Sequence, residues 1–303
     1  MELYPNINFE LYKFFYFAAD ELNFSKAAQN LHVTQSAVSQ SIKSLESQLE
    51  VTLFFRQGRN IRLTFEGEVL FKHIEKAFNF IRSAENSLNS IKSLDEGTVF
   101  IGASDTITRY LLLSKIKSFN AIYPKVKLSI NNRPSPRSVE RLKNGEIDIA
   151  IINLNPNVDY EGLEVTPFST IDNIFIATHT YLPMIPFTKL SLKEVSAHPL
   201  ICLEEKSTTR KILEEFYKAN QLKVHPSFEF GSLEVILEAV KSNMGIGFVS
   251  KNVAEQDLNT AIIREVQIIE EIPQINVGIL TNKSKPLSLA TQKFLNILLE
   301  KES

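Results

Sequence analysis

A single cysteine, Cys202, stands among 303 residues, so the chain can close no internal disulfide and build no thiolate metal cage. It contains no run of 18 consecutive apolar residues, which excludes a conventional membrane-spanning helix. The opening stretch MELYPNINFELYKFF lacks a basic segment followed by an apolar one and a small-residue cleavage site. The expected location is therefore the cytoplasm, without membrane contact. A surplus of one charge sign is missing too: 33 basic residues against 35 acidic leave a formal net charge of −2. Any polyanionic partner must be held by a local patch. The five histidines (His32, His73, His179, His198 and His225) are scattered, in no metal or triad spacing, and there is no P-loop. GIGFVS offers Gly245 and Gly247, but Ser250 stands where a dinucleotide fingerprint needs a third glycine. No enzyme chemistry and no cofactor are expected.

What is present is an ordinary globular composition, 44% hydrophobic and 22% charged, at a length that suits two or three domains. Residues 7–93 contain no proline and read as mostly helical. From about residue 98 the texture changes to short apolar runs between helical patterns. TVFIGA, VKLSI, IDIAII, NIFIAT, PLICL, GIGFVS and INVGIL are candidate strands, and their apolar faces predict a buried, mainly parallel sheet. Helical patterns run through Gly145 and Gly245 straight into strands, and both glycines suit the left-handed position after a helix. Residues 95–303 thus read as two α/β units with a boundary near 163–168. Such a pair commonly holds a ligand in the cleft between them, at the carboxyl ends of strands.

The segment SKAAQNLHVTQSAVSQSIKSLESQL, residues 25–49, is rich in serine and glutamine. Val38, Ile42, Leu45 and Leu49 are spaced 4, 3 and 4, one face of a helix. The opposite face carries Ser36, Gln40, Lys43 and Ser47, flanked by Gln35 and Ser39, with Thr34 as the N-cap. A shorter helix capped by Ser25 precedes it through a tight turn, which makes a helix-turn-helix. A helix entering the major groove needs slim groups able to bond base edges and phosphates on its leading edge. A solvated surface helix is the plainer alternative, although glutamate and lysine are the usual choice for that.

LFFRQGRNIRLT reads as a β-hairpin with Gly58 in its turn and Arg56, Arg59 and Arg62 within seven residues. Between residues 22 and 62, five cations face two anions, a local positive element in an acidic chain. Beside the helix pair, a winged helix-turn-helix is the better reading. Thr64 can then cap a long helix in which Phe71, Ile74, Phe78, Ile81, Glu85 and Leu88 recur at heptad spacing. That stripe predicts a two-helix seam with a second chain, unless the aromatic helix at 9–22 covers it.

Residues 9–67 closely resemble the DNA-binding domain of the LysR-type transcriptional regulators. The block FSKAAQNLHVTQSAVSQSIKSLESQLEVTLFFRQGRNIRLTFEG carries the likeness, with Glu50 where that family usually has glycine. The resemblance implies an α/β multidomain protein. Its parts would be a winged helix-turn-helix over 1–63, a linker and dimerisation helix over 64–94, and an effector-binding domain over 95–303 similar to periplasmic binding proteins. Lobe 1 would span about 95–165 and 266–303, and lobe 2 about 166–265. It implies a homodimer or homotetramer on a pseudo-palindromic duplex operator, contact with RNA polymerase, and a small-molecule effector between the lobes. The DNA-facing residues would be Ser25, Thr34, Gln35, Ser36, Ser39, Gln40, Lys43, Arg56 and Arg59. The effector candidates are Ser104, Thr106, Asn132, Arg133, Pro134, Ser135, Asn153, Ser207, Thr208, Thr209, Ser232 and Phe248, each of which could instead serve as a cap or turn residue. Hydroxyls at helix starts, with Arg133, Arg137 and Arg210 in the same segments, favour a small carboxylate or inorganic oxyanion. Asp105, Glu204 and Glu205 share those segments, and Arg210 is equally placed to pair with one of them. A solute-binding protein, allowed by residues 95–303 alone, leaves the first 93 residues unexplained.

Overall fold

The computed structural model describes residues 7–57, 60–92, 97–181 and 189–300, with backbone only at 56, 57, 60, 83, 86, 87 and 89–92. Two compact units divide the chain, Met1–Arg82 and Ser83–Ser303.

The first unit begins with α1 (Phe9–Glu21), α2 (Phe24–Leu31) and α3 (Gln35–Leu49). An antiparallel hairpin follows, β1 (Phe54–Gln57) with β2 (Asn60–Leu63), and then α4 (Phe65–Lys92), which continues into the second unit. Side chains start each helix: Asn8 accepts from the Glu10 N–H, Thr34 from Ala37, and Thr64 from Gly67. Asn23, not Ser25, caps α2, because its Oδ1 accepts from the backbone of both Ser25 and Lys26 at 2.9 and 3.1 Å. Ser25 is the second residue of the helix, exposed. Phe15, Ala18, Ala27, Val38, Ile42, Leu45 and Leu53 form a core that is at most 1% exposed, with Leu49 half-buried at its margin. Half-buried Glu46 accepts from the Leu53 and Phe54 N–H groups at 2.8 and 3.3 Å, which ties α3 to the hairpin. Gly67 has a steric reason: a Cβ there would lie 2.2 Å from the Leu53 carbonyl oxygen. The amino-terminal half of the α4 stripe is covered within its own unit. Phe78 stacks on Tyr16 and Phe9 with centroids 4.7 and 5.9 Å apart, and Phe71 stacks on Tyr16 at 6.1 Å. Beyond it, Ile81 and Leu88 remain 41% and 62% exposed.

In the second unit one five-stranded sheet contains β3 (Gly97–Ala103), β4 (Val126–Asn131), β5 (Ile149–Asn153), β6 (Leu163–Ile171) and β12 (Ile275–Asn282), in the order β4-β3-β5-β12-β6. The other contains β7 (Asn173–Thr178), β8 (Leu200–Leu203), β9 (Pro226–Phe230), β10 (Ile246–Ser250) and β11 (Ile263–Val266), in the order β11-β7-β10-β8-β9. Helices connect them: α5 (Asp105–Ile107), leading through a π-helical turn at Thr108–Leu112 into α6 (Leu113–Ile122), then α7 (Ser135–Lys143) and α8 (Leu192–Val195). After these come α9 (Thr208–Ala219), α10 (Leu233–Lys241), α11 (Lys251–Asn259) and α12 (Leu289–Leu299).

The sheets are mixed rather than mainly parallel. β3 runs parallel to β4 and β5, but β12 is antiparallel to β5 and β6, and β7 to β10 and β11. The reversed strands are those next to the two passages between sheets, where no crossover helix imposes a parallel return. The first passage is Asp172 alone, later than the expected 163–168, since β6 stays in the first sheet to Ile171. Gly145 takes the left-handed position after α7 as expected, with φ 74°. After α10 that position belongs to Asn243, φ 64°, whose N–H donates to Val240 while that of Met244 donates to Ala239. Gly245 is needed for space instead, because a Cβ would meet the Pro199 carbonyl oxygen at 2.2 Å.

Candidate DNA interface and effector cleft

On α3 the buried face points Val38, Ile42 and Leu45 inward, which leaves Gln35, Ser36, Gln40 and Lys43 exposed and Ser39 half-buried. Thr34 stays exposed while capping, and its hydroxyl lies 2.9 Å from that of Ser36. The edge is slim, polar and open to a groove. In the hairpin, Arg56 pairs with Ile61 in the strand ladder, and Arg62 is exposed beside buried Ile61. Gly58 and Arg59 lie outside the described residues.

In the second unit, eleven of the twelve effector candidates line one cavity of about 250 Å³ between the sheets: Ser104, Thr106, Asn132, Arg133, Pro134, Ser135, Asn153, Ser207, Thr208, Thr209 and Ser232. The reason is topological. Loops leaving the carboxyl ends of strands from both lobes meet there, and four helices of nine residues or more start at its wall. These are α7, α9, α10 and α11, headed by Pro134, Ser207, Ser232 and Ser250, none of which makes a side-chain cap bond. First-turn residues of α7, α9 and α10 line the cavity and bring the positive ends of those helices to it. From α11 only Ser250 reaches it, and the Lys251 N–H donates to the Asp172 carbonyl at 2.8 Å. Asn153 bridges the lobes by donating to the Thr209 hydroxyl at 3.3 Å.

Phe248 is the exception. It is 2% exposed and packs on Phe175 with centroids 5.0 Å apart, in the second lobe's core. β10 is covered on both faces, so only its last residue, Ser250, reaches the cavity. The arginines also divide. Arg133 lines the cavity, whereas Arg137 pairs with Glu140 at 2.7 Å. Arg210 is 4% exposed and locked to Glu214, Glu229 and the Leu203 carbonyl oxygen, away from Glu204 and Glu205. Three acids line the cavity, Asp105, Glu204 and Glu234; Asp105 accepts from Asn132 at 2.5 Å, and Glu234 from the Ser232 hydroxyl at 2.7 Å. Beside Arg210, burial pushes the Cys202 thiol up to about 11, which leaves it protonated and inert.

Among the cavity residues outside the candidates are Asn173 and Ser250, which face each other across the β7–β10 ladder. Ser250 was discoverable as the last residue of an apolar strand. Asn173 follows the one-residue passage between sheets and carries no sequence signal. Among the described residues no helix is long and apolar enough to cross a membrane, and no cluster of three metal-ligating side chains occurs.

Comparison with known proteins agrees with this arrangement. Residues 9–68 match the bacterial regulatory helix-turn-helix domain of the lysR family, and residues 92–303 match the LysR substrate binding domain. A probable RuBisCO transcriptional regulator from Nostoc sp. is 30% identical over 284 residues, covering 91% of this chain and 83% of that protein. The crystal structure of ArgP from Mycobacterium tuberculosis superposes with a TM-score of 0.72 at 18% identity, over 97% of this chain and 98% of that one. Full-length CbnR complexed with its target DNA gives 0.68 at 17% identity, over 96% and 99%. A polar groove-width helix beside a hairpin, joined to a two-lobed α/β domain with a ligand-sized cleft, carries both matched domains in order, and the chain belongs to the LysR family of transcriptional regulators.

Proposed function

We propose that this regulator reads a pseudo-palindromic duplex through α3, with Gln35, Ser36, Ser39, Gln40 and Lys43 in the major groove and Thr34 and Ser25 near the flanking phosphates. The hairpin, with Arg56 and Arg59, grips the adjoining backbone. The observation that carries this reading is the exposed edge of short amides and hydroxyls opposite a fully buried face of α3. Its working form is a homodimer or homotetramer in the cytoplasm that contacts RNA polymerase and catalyses no reaction. A small anionic effector occupies the cleft, held by the uncapped starts of α7, α9 and α10 with Arg133 at the wall. Lobe closure around it changes how dimers associate, and with that the spacing of recognition helices and the bend of the DNA.

Gel-shift titration against the chain's own upstream region tests the DNA face. Gln40→Ala should weaken specific binding by about 1–3 kcal/mol and spare non-specific binding. Lys43→Ala should lower the slope of log affinity against log salt by about one. Unchanged operator affinity in Gln40→Ala would show that α3 presents a different face.

A further inference from the structure

We infer that the effector must donate hydrogen bonds as well as carry negative charge: it is a small anion with a hydroxyl or ammonium group close to its charged end, not a plain oxyanion. This rests on the cleft reading above and deepens it. On the cavity floor Asn173 is 4% and Ser250 2% exposed. Both atoms of the Asn173 amide, the Ser250 hydroxyl and the Asn153 Oδ1 have no partner. The other half of the Asn153 amide is already committed to Thr209.

Counting bonding capacity decides the ligand class. Asn173 Oδ1 and Asn153 Oδ1 can only accept, Asn173 Nδ2 can only donate, and the Ser250 hydroxyl can do either. Ser250 also heads α11 without capping it, so its hydroxyl is not spent on its own helix. An oxyanion with no N–H or O–H satisfies Nδ2 and leaves two amide oxygens buried and unpaired, which is expensive. A ligand with both functions satisfies all of them, its charged end at the helix starts and its donor at the floor. A hydroxy or amino carboxylate fits, and so does a hydroxylated phosphate ester.

Isothermal titration of the full chain separates these. The probes are propionate, L-lactate and L-alanine; succinate, L-malate and L-aspartate; and ethyl phosphate with glycerol 3-phosphate. In at least one series the donor-bearing member should bind roughly tenfold tighter than its plain counterpart, and the series showing it identifies carboxylate or phosphate. Asn173→Leu should erase that preference while raising the melting temperature of the unliganded chain, because an unpaired buried amide is removed. The wild-type comparison stands by itself should that variant not fold. Equal binding of plain and substituted anions, or binding of none, overturns the inference. Gly231→Trp distinguishes it from the parent reading, since Gly231 lines the cavity with nothing within 4 Å of a Cβ. Plain anions that bind equally well and are all lost in Gly231→Trp would leave the cleft standing and refute only the donor requirement. Binding that survives Gly231→Trp would refute the cleft itself.

Discussion

Glu50 ends α3 with φ 56° and ψ 33°, a left-handed conformation in which a Cβ is unfavourable. The departure from the family's glycine therefore leaves the turn intact and strains it. Glu50→Gly should raise the stability of the first unit by about 0.5–1 kcal/mol, read as a higher melting temperature. Gly67→Ala is the opposite case. Alanine has the better helix propensity by about 1 kcal/mol, but here its methyl would meet the Leu53 carbonyl oxygen at 2.2 Å and the Leu63 side chain at 3.0 Å. A loss of about 1–3 kcal/mol is expected in the same assay, and a gain would show that the close approach relaxes freely. Positions were legible in the sequence where a helix start marks them: Thr34 as the cap of α3, and Ser207 and Ser232 on the cavity wall. Phe248 misled because its neighbour Ser250 occupies the end of the strand, and Asn173 was invisible because only the passage between sheets places it.

Edge position explains which elements could be read. Strands β3, β5, β7, β8, β10 and β12 gave continuous apolar runs, and all are flanked on both sides. β6, β9 and β11 were missed, and all three are sheet edges with half-exposed, polar-rich sequences. Of the four edge strands in the two five-stranded sheets, β4 alone was read. Helix α4 was read as a periodic stripe, and the alternative of cover by the aromatic helix at 9–22 holds for Phe71 and Phe78, which stack on Tyr16. Ile81 and Leu88 are what remains for a second chain. Replacing both by lysine should shift the protein toward monomer in sedimentation experiments; an unchanged mass would move the dimer contact elsewhere.

The two units have separate hydrophobic cores, one around Phe15, Val38 and Leu45 and others across the two sheets. Calorimetry of the full chain should accordingly resolve two transitions, with Glu50→Gly moving only the first. One merged transition would mean that the cores melt together. Inside the second unit, the chain passes between sheets at Asp172 and returns between Val266 and Ile275. Gln274 donates to Asp172 at 2.6 Å, so the outgoing and incoming strands are pinned side by side. Two adjacent passages are where a hinge between the lobes would act. Under the lobe closure proposed above, an effector in the cleft would be expressed as a change of angle at that hinge, the form in which a second chain could register it.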